Sequence, residues 1–154
     1  MNNTKLSPAN IVILAGGVVI LIGSFLDFYK AKSVTIGGFT VHASGGGNAW
    51  GSGSFLIATL PAILGVVMAA QVAVSAFASG VSLPERVLGL TWTQVHLALG
   101  FQAAIMMIAF LIRSKGPLDF GVGFWLMLIA AIALLVGAIM RTREPAGEAS
   151  PPMI

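Results

Sequence analysis

The stretch Phe120-Gly-Val-Gly-Phe-Trp-Leu-Met-Leu-Ile-Ala-Ala-Ile-Ala-Leu-Leu-Val-Gly-Ala-Ile-Met140 runs for 21 residues without a charge. An α-helix rises about 1.5 Å per residue, so about 20 apolar residues cross the roughly 30 Å hydrocarbon core of a bilayer. This segment is therefore long enough to span a membrane once. Asp119 precedes it and Arg141 follows it, which places charge where a span would meet the headgroups.

Working outward, three more charge-free gaps appear: residues 6–26, 33–84 and 87–112, of 21, 52 and 26 residues. The longest could hold two spans, but its first half, residues 33–53, is glycine-rich and carries His42 and Asn48. Lipid would leave that backbone without hydrogen-bond partners, so it is read as a loop. The chain is thus expected to be an all-α membrane protein, with four transmembrane helices at residues 10–28, 55–77, 93–112 and 120–140 in an up-down bundle. Residues 1–141 form the transmembrane domain, with residues 29–54 as its glycine-rich first loop. Residues 142–154, with three Pro, two Glu and no apolar periodicity, read as a disordered tail.

Composition agrees. Of 154 residues, 57% are hydrophobic and 8% charged, against about 25% charged in an average soluble domain. The first apolar run is too long for a signal-peptide core and lacks a small-x-small cleavage site, so it is expected to be retained. With no cysteine, disulfides and thiolate metal sites are excluded. The net charge of +3 is shared between both ends of the spans, which gives no argument for nucleic acid.

Four spans put Lys5, Arg86, Arg141 and Arg143 on one side and Lys30, Lys32, Arg113 and Lys115 on the other. The tie leaves the positive-inside rule silent. The glycine-rich first loop reads as an external feature, so the termini are assigned to the cytoplasm of a cell inner (plasma) membrane. Tyr29, Trp50 and Trp125 at one end and Trp92 at the other read as an interfacial aromatic belt.

Within the first loop, Val34-Thr-Ile36 and Phe39-Thr-Val41 flank Gly37-Gly38, a β-hairpin signature because a glycine pair supplies the positive φ of a tight turn. An isolated hairpin is marginal in water. It must pack on something, and Phe39, His42 and Trp50 are the candidate contacts. The following residues 44–53 read as a flexible linker. Ser82-Leu-Pro-Glu85 and Thr91-Trp-Thr-Gln94 have the form of capping boxes, predicting a short turn at residues 83–88 and then a capped third helix. Pro61 is expected to kink span two.

Ionisable and polar groups near the spans define the candidate chemistry. Gln71 and Ser75 on span two, and Gln94, His96 and Gln102 on span three, fall in the half nearest the second loop. They form a candidate intramembrane patch, read as interhelical glue or as a site for protons or small polar substrates. At the other end Asp27, Asp119, Lys30 and Arg113 are assigned to headgroup-level ion pairs. Two carboxylates could act as acid and base, but they bring no nucleophile and no metal partner, so neither an enzyme nor a cofactor is expected. Small residues spaced four apart, as in Ala58 and Ala62, Ala69 and Ala73, Gly100 and Ala104, and Ala133 and Gly137, mark helix-packing faces.

Leu21-Ile-Gly-Ser-Phe-Leu-Asp27-Phe-Tyr29, Asn48-Ala-Trp-Gly-Ser-Gly53, Pro84-Glu-Arg-Val-Leu-Gly-Leu-Thr-Trp-Thr-Gln-Val-His96 and Leu118-Asp-Phe-Gly-Val-Gly-Phe-Trp125 resemble segments of small four-span membrane proteins of actinobacteria. The resemblance implies a bacterial inner membrane and brings no catalytic residues. A looser, architectural similarity is to claudin-type proteins, whose first-loop cysteines are missing here. The expected partners are the lipid bilayer and either a second copy or another membrane protein. Two functions follow: an interaction or assembly component, or a small oligomeric transporter or channel using the Gln/His patch.

Overall fold

The computed structural model describes residues 6–41, 45–51, 56–78, 80–112 and 118–144. Four helices are each long and apolar enough to cross a membrane: α1 (Pro8–Phe25), α2 (Thr59–Phe77), α3 (Trp92–Ile112) and α4 (Val122–Arg143). Helix α1 starts two residues before the expected position. Ser7 supplies its N-cap, accepting the Asn10 N–H at 3.2 Å, and Pro8 occupies the first turn, where a missing N–H costs nothing. It also ends early, at Phe25, because Phe28 turns into the core and Tyr29 enters a strand. Helix α4 runs on to Arg143, so residues 142–143, assigned above to the tail, are helical; residues 145–154 lie outside the described residues. The expected kink is replaced by a simpler arrangement. Pro61 sits in the first turn of α2, where no intrahelical bond depended on its nitrogen.

Helix α1 packs on α4 and α2, and α3 packs on the same two. Close approach is made by glycines. A Cβ on Gly17 would overlap the Ala69 Cβ and lie 2.9 Å from the Gly65 carbonyl. One on Gly100 would lie 3.1 Å from the Leu135 Cα, and one on Gly137 would lie 2.8 Å from the Ile13 side chain. Between the helices Ile13, Ile20, Met68, Met107, Met127 and Leu134 are fully buried. Outward faces carry Val18, Ile22, Phe101, Ile105, Ile129 and Ile132, all exposed. Apolar side chains thus clothe the helices all round, as lipid requires.

At the end of the first and third loops, a three-stranded sheet ties the loops together. Strand β1 (Tyr29–Ala31) is central, hydrogen-bonded antiparallel to β4 (Gly46–Gly47) on one side and to β7 (Leu118–Phe120) on the other. Strands β2 (Val34–Ile36) and β3 (Phe39–Val41) form a separate hairpin. Below the sheet, the fully buried ring of Phe28 meets Tyr29, Phe110 and Phe124 edge to face. Phe120 stacks on Phe124 at 3.6 Å.

Part of the stretch read as a linker is instead pinned. Ala49 is fully buried; its N–H donates to the Ser24 carbonyl at 3.1 Å, and its carbonyl accepts the Thr59 hydroxyl at 2.9 Å. The Thr59 Oγ1 in turn accepts the Leu56 N–H at 3.2 Å, and the Trp50 indole donates to Ser24 Oγ at 2.9 Å while stacking on Phe25. Residues 48–51 therefore latch the end of α1 to the start of α2. Opposite them, the second loop forms a hairpin of β5 (Arg86–Val87) and β6 (Leu90–Thr91) about a Leu88-Gly89 turn, not the expected turn at residues 83–88. The first capping box, at residues 82–85, starts no helix. The second capping box is present as read, with the Thr91 N–H donating to Gln94 Oε1 at 3.0 Å and the Gln94 N–H to Thr91 Oγ1 at 3.4 Å.

Candidate functional site

Two regions stand apart from plain helix packing, one at each end of the helices. The first is the β2–β3 hairpin. Its register pairs Val34 with Val41, Thr35 with Thr40 and Ile36 with Phe39 around Gly37 and Gly38, whose φ of 59° and 84° suit glycine. Side chains alternate across a strand. One face therefore carries only the two threonines, whose hydroxyls share a hydrogen bond of 3.1 Å. The other carries Val34, Val41, Ile36 and Phe39, every one exposed, with Ile36 at 70% and Phe39 at 81%. Of the loop contacts anticipated, Phe39 lies on this face, Trp50 belongs to the latch, and His42 lies outside the described residues.

At the opposite end a polar cluster joins three helices. The structure brings together two members of the expected patch, Gln71 and His96, through a residue the sequence reading did not include. Arg141 Nη1 lies 3.0 Å from His96 Nδ1 and 3.3 Å from Gln71 Oε1. His96 is fully buried, Gln71 nearly so, and Arg141 half-buried. A guanidinium can only donate, so His96 Nδ1 is the acceptor and the ring proton sits on Nε2. That Nε2 is itself buried without a partner among the described residues, as is Asn10 Oδ1. The other patch members lie elsewhere: Ser75 donates to the Val72 carbonyl at 2.9 Å, Gln94 serves the capping box, and Gln102 is exposed. Arg141 could have been anticipated from topology, because the last turn of span four falls at the end shared by Gln71 and His96. A long side chain there reaches inward as readily as outward.

Among the carboxylates and cations of the other end, the ion pair found among the described residues is Lys32 with Asp119 at 3.6 Å. Both are substantially exposed, where such pairs contribute about 0 to 1 kcal/mol. Lys30 lies across from Asp119 in the β1–β7 register, and the Asp27 carbonyl accepts the Gly123 N–H at 2.9 Å, but neither side chain forms an ion pair among the described residues. Arg113 lies outside them. No group of three His, Cys, Asp or Glu able to hold a metal occurs among the described residues. An apolar cleft of about 140 Å³ between α3 and the turn before α2, lined by Ile57, Met106, Ala109 and Phe110, offers no group to orient a polar substrate. No family model, curated protein or solved structure matches the chain.

Proposed function

We propose that this chain is an interaction or assembly component of a bacterial inner membrane, related to the small four-span proteins of actinobacteria that its segments resemble. In this reading the four helices form an up-down bundle with both termini in the cytoplasm. The β2–β3 hairpin then stands on the outer face and docks on another membrane protein. No catalytic activity is assigned.

The observation that carries the reading is the apolar hairpin face. A two-stranded hairpin has too little burial of its own to be stable in water, and four adjacent large apolar side chains left uncovered mark an interaction surface. Each Å² removed from water by a partner contributes about 25 cal/mol. The test is a photocrosslinking residue at Phe39 in native membranes, followed by mild detergent purification. A discrete protein adduct, absent when the crosslinker stands at the threonine-face position Thr35, is expected. Adducts to lipid alone, or none, would sink the proposal.

A transporter or channel has weaker support. It draws on the meeting of Gln71 and His96, but Ser75, Gln94 and Gln102 do not extend that meeting into a polar path.

A further inference from the structure

The Arg141 guanidinium is held in an unusual way for a cation at the end of an apolar helix. An arginine near a span terminus ordinarily swings freely toward the headgroups. Here Nη1 is anchored to two neutral acceptors on two other helices, Gln71 Oε1 and His96 Nδ1. Those bonds fix the plane of the fork. They do nothing to neutralise its charge.

The carboxylate whose charge acts on it is Glu144, which does so without forming an ion pair among the described residues. Among the described residues, the ion pair present is Lys32 with Asp119, at the far end of the helices. Glu144, one turn beyond Arg141, has its Oε1 on the Ala9 N–H at 3.4 Å. A half-buried cation with no carboxylate in contact with it among the described residues is costly, and an anion of matching geometry relieves the cost. The donors left to receive one are Nε and Nη2. They make no hydrogen bond to described residues. This edge of a guanidinium offers two parallel N–H groups, which match two oxygens of a phosphate. Its depth, in the last turn of α4, is where a span meets the phosphate layer. The N-termini of α1 and α3 lie at the same end, and their dipoles favour negative charge there.

We infer that Arg141 is a receptor for a phosphate group, engaged bidentately through Nε and Nη2, with His96 and Gln71 as positioning residues that hold the fork. A lipid phosphodiester and free phosphate share this chemistry. The site is independent of the hairpin and of the docking function proposed for it.

The experiment uses the full chain in maltoside micelles, following the arginine Nε–H resonances by NMR. It is titrated separately with dihexanoyl phosphatidylglycerol, with inorganic phosphate and with phosphate-free dihexanoylglycerol. A saturable shift of the Arg141 signal with the phospholipid identifies a headgroup site, and a shift with inorganic phosphate alone identifies a free-anion site. Arg141→Lys keeps the charge but loses the fork, and is expected to weaken binding about tenfold. Gln71→Leu frees the fork without touching the charge and is expected to weaken it about threefold; because it leaves His96 in place, it reads the positioning role even where His96→Phe does not fold. Arg143→Gln removes an exposed arginine of the same turn and should change little. No shift with either phosphate, an equal shift with the phosphate-free lipid, or an equal loss in Arg143→Gln would overturn the inference.

Discussion

At the residue scale, the closest contacts of the molecule are made where a side chain is missing. Gly17 illustrates this, because its Cα faces Ala69 and the Gly65 carbonyl across the α1–α2 interface. A larger side chain there would meet backbone, which cannot rotate away. Gly17→Leu is expected to destabilise the protein by about 2 to 3 kcal/mol through overpacking, seen as a lower melting temperature in detergent. Substituting Leu at exposed Val18 should leave that temperature nearly unchanged. The spacing of small residues pointed to Gly100, Ala104 and Gly137, and Gly100 and Gly137 meet neighbouring helices. It did not single out Gly17 or Gly23, whose roles depend on which neighbour faces them. Arg141 was missed for a related reason: nothing local to span four indicates that its last turn points toward His96.

At the scale of elements, the helices were legible and the loops largely were not. Length and the absence of charge locate a span, because lipid permits little else. The hairpin at residues 34–41 was also readable, since the Gly37-Gly38 pair and the flanking β-branched residues act locally. Strands β1, β4 and β7 are different. They exist because the first and third loops lie side by side, and neither loop alone carries that information. The latch at Ala49 and Trp50 follows the same rule, since its partners Ser24 and Thr59 lie on two separate helices. Thr59→Val keeps the shape of the side chain but removes both its bonds, leaving the Ala49 carbonyl and the Leu56 N–H unsatisfied. A loss of about 1 to 3 kcal/mol is expected. Hydrogen exchange at Ala49 should quicken while exchange in mid-α4 does not, and equal change at both sites would refute the latch.

For the whole molecule, the two ends differ more in construction than in charge. One end is a sheet over an aromatic cluster of Phe28, Phe110, Phe120 and Phe124. The other has a short hairpin, the ends of α1 and α4, and the Gln71, His96 and Arg141 cluster. Read as four antiparallel spans, the sequence puts four lysines and arginines at each end, so the proposed orientation rests on the glycine-rich first loop alone. With the termini in the cytoplasm, a C-terminal green fluorescent protein fusion is expected to fluoresce and alkaline phosphatase at the same position to be inactive. Phosphatase inserted between Gly37 and Gly38 should be active. The reverse pattern would place the hairpin inside and remove the outer docking proposed for it.

What the sequence by itself determined is the number of helices long and apolar enough to span, their approximate limits and one hairpin. Each depends on chain-local properties: charge-free length, capping geometry and turn residues. Which faces pack, which loops meet and which polar groups converge were decided only by the tertiary structure. The physical reason is the apolar character of these helices on every side. With exposed Ile22, Ile105 and Ile129 as hydrophobic as buried Ile20, Met107 and Met127, hydrophobicity carries no record of inside and outside. The difference lies in close approach at glycines and in a few hydrogen bonds, and both exist only between helices.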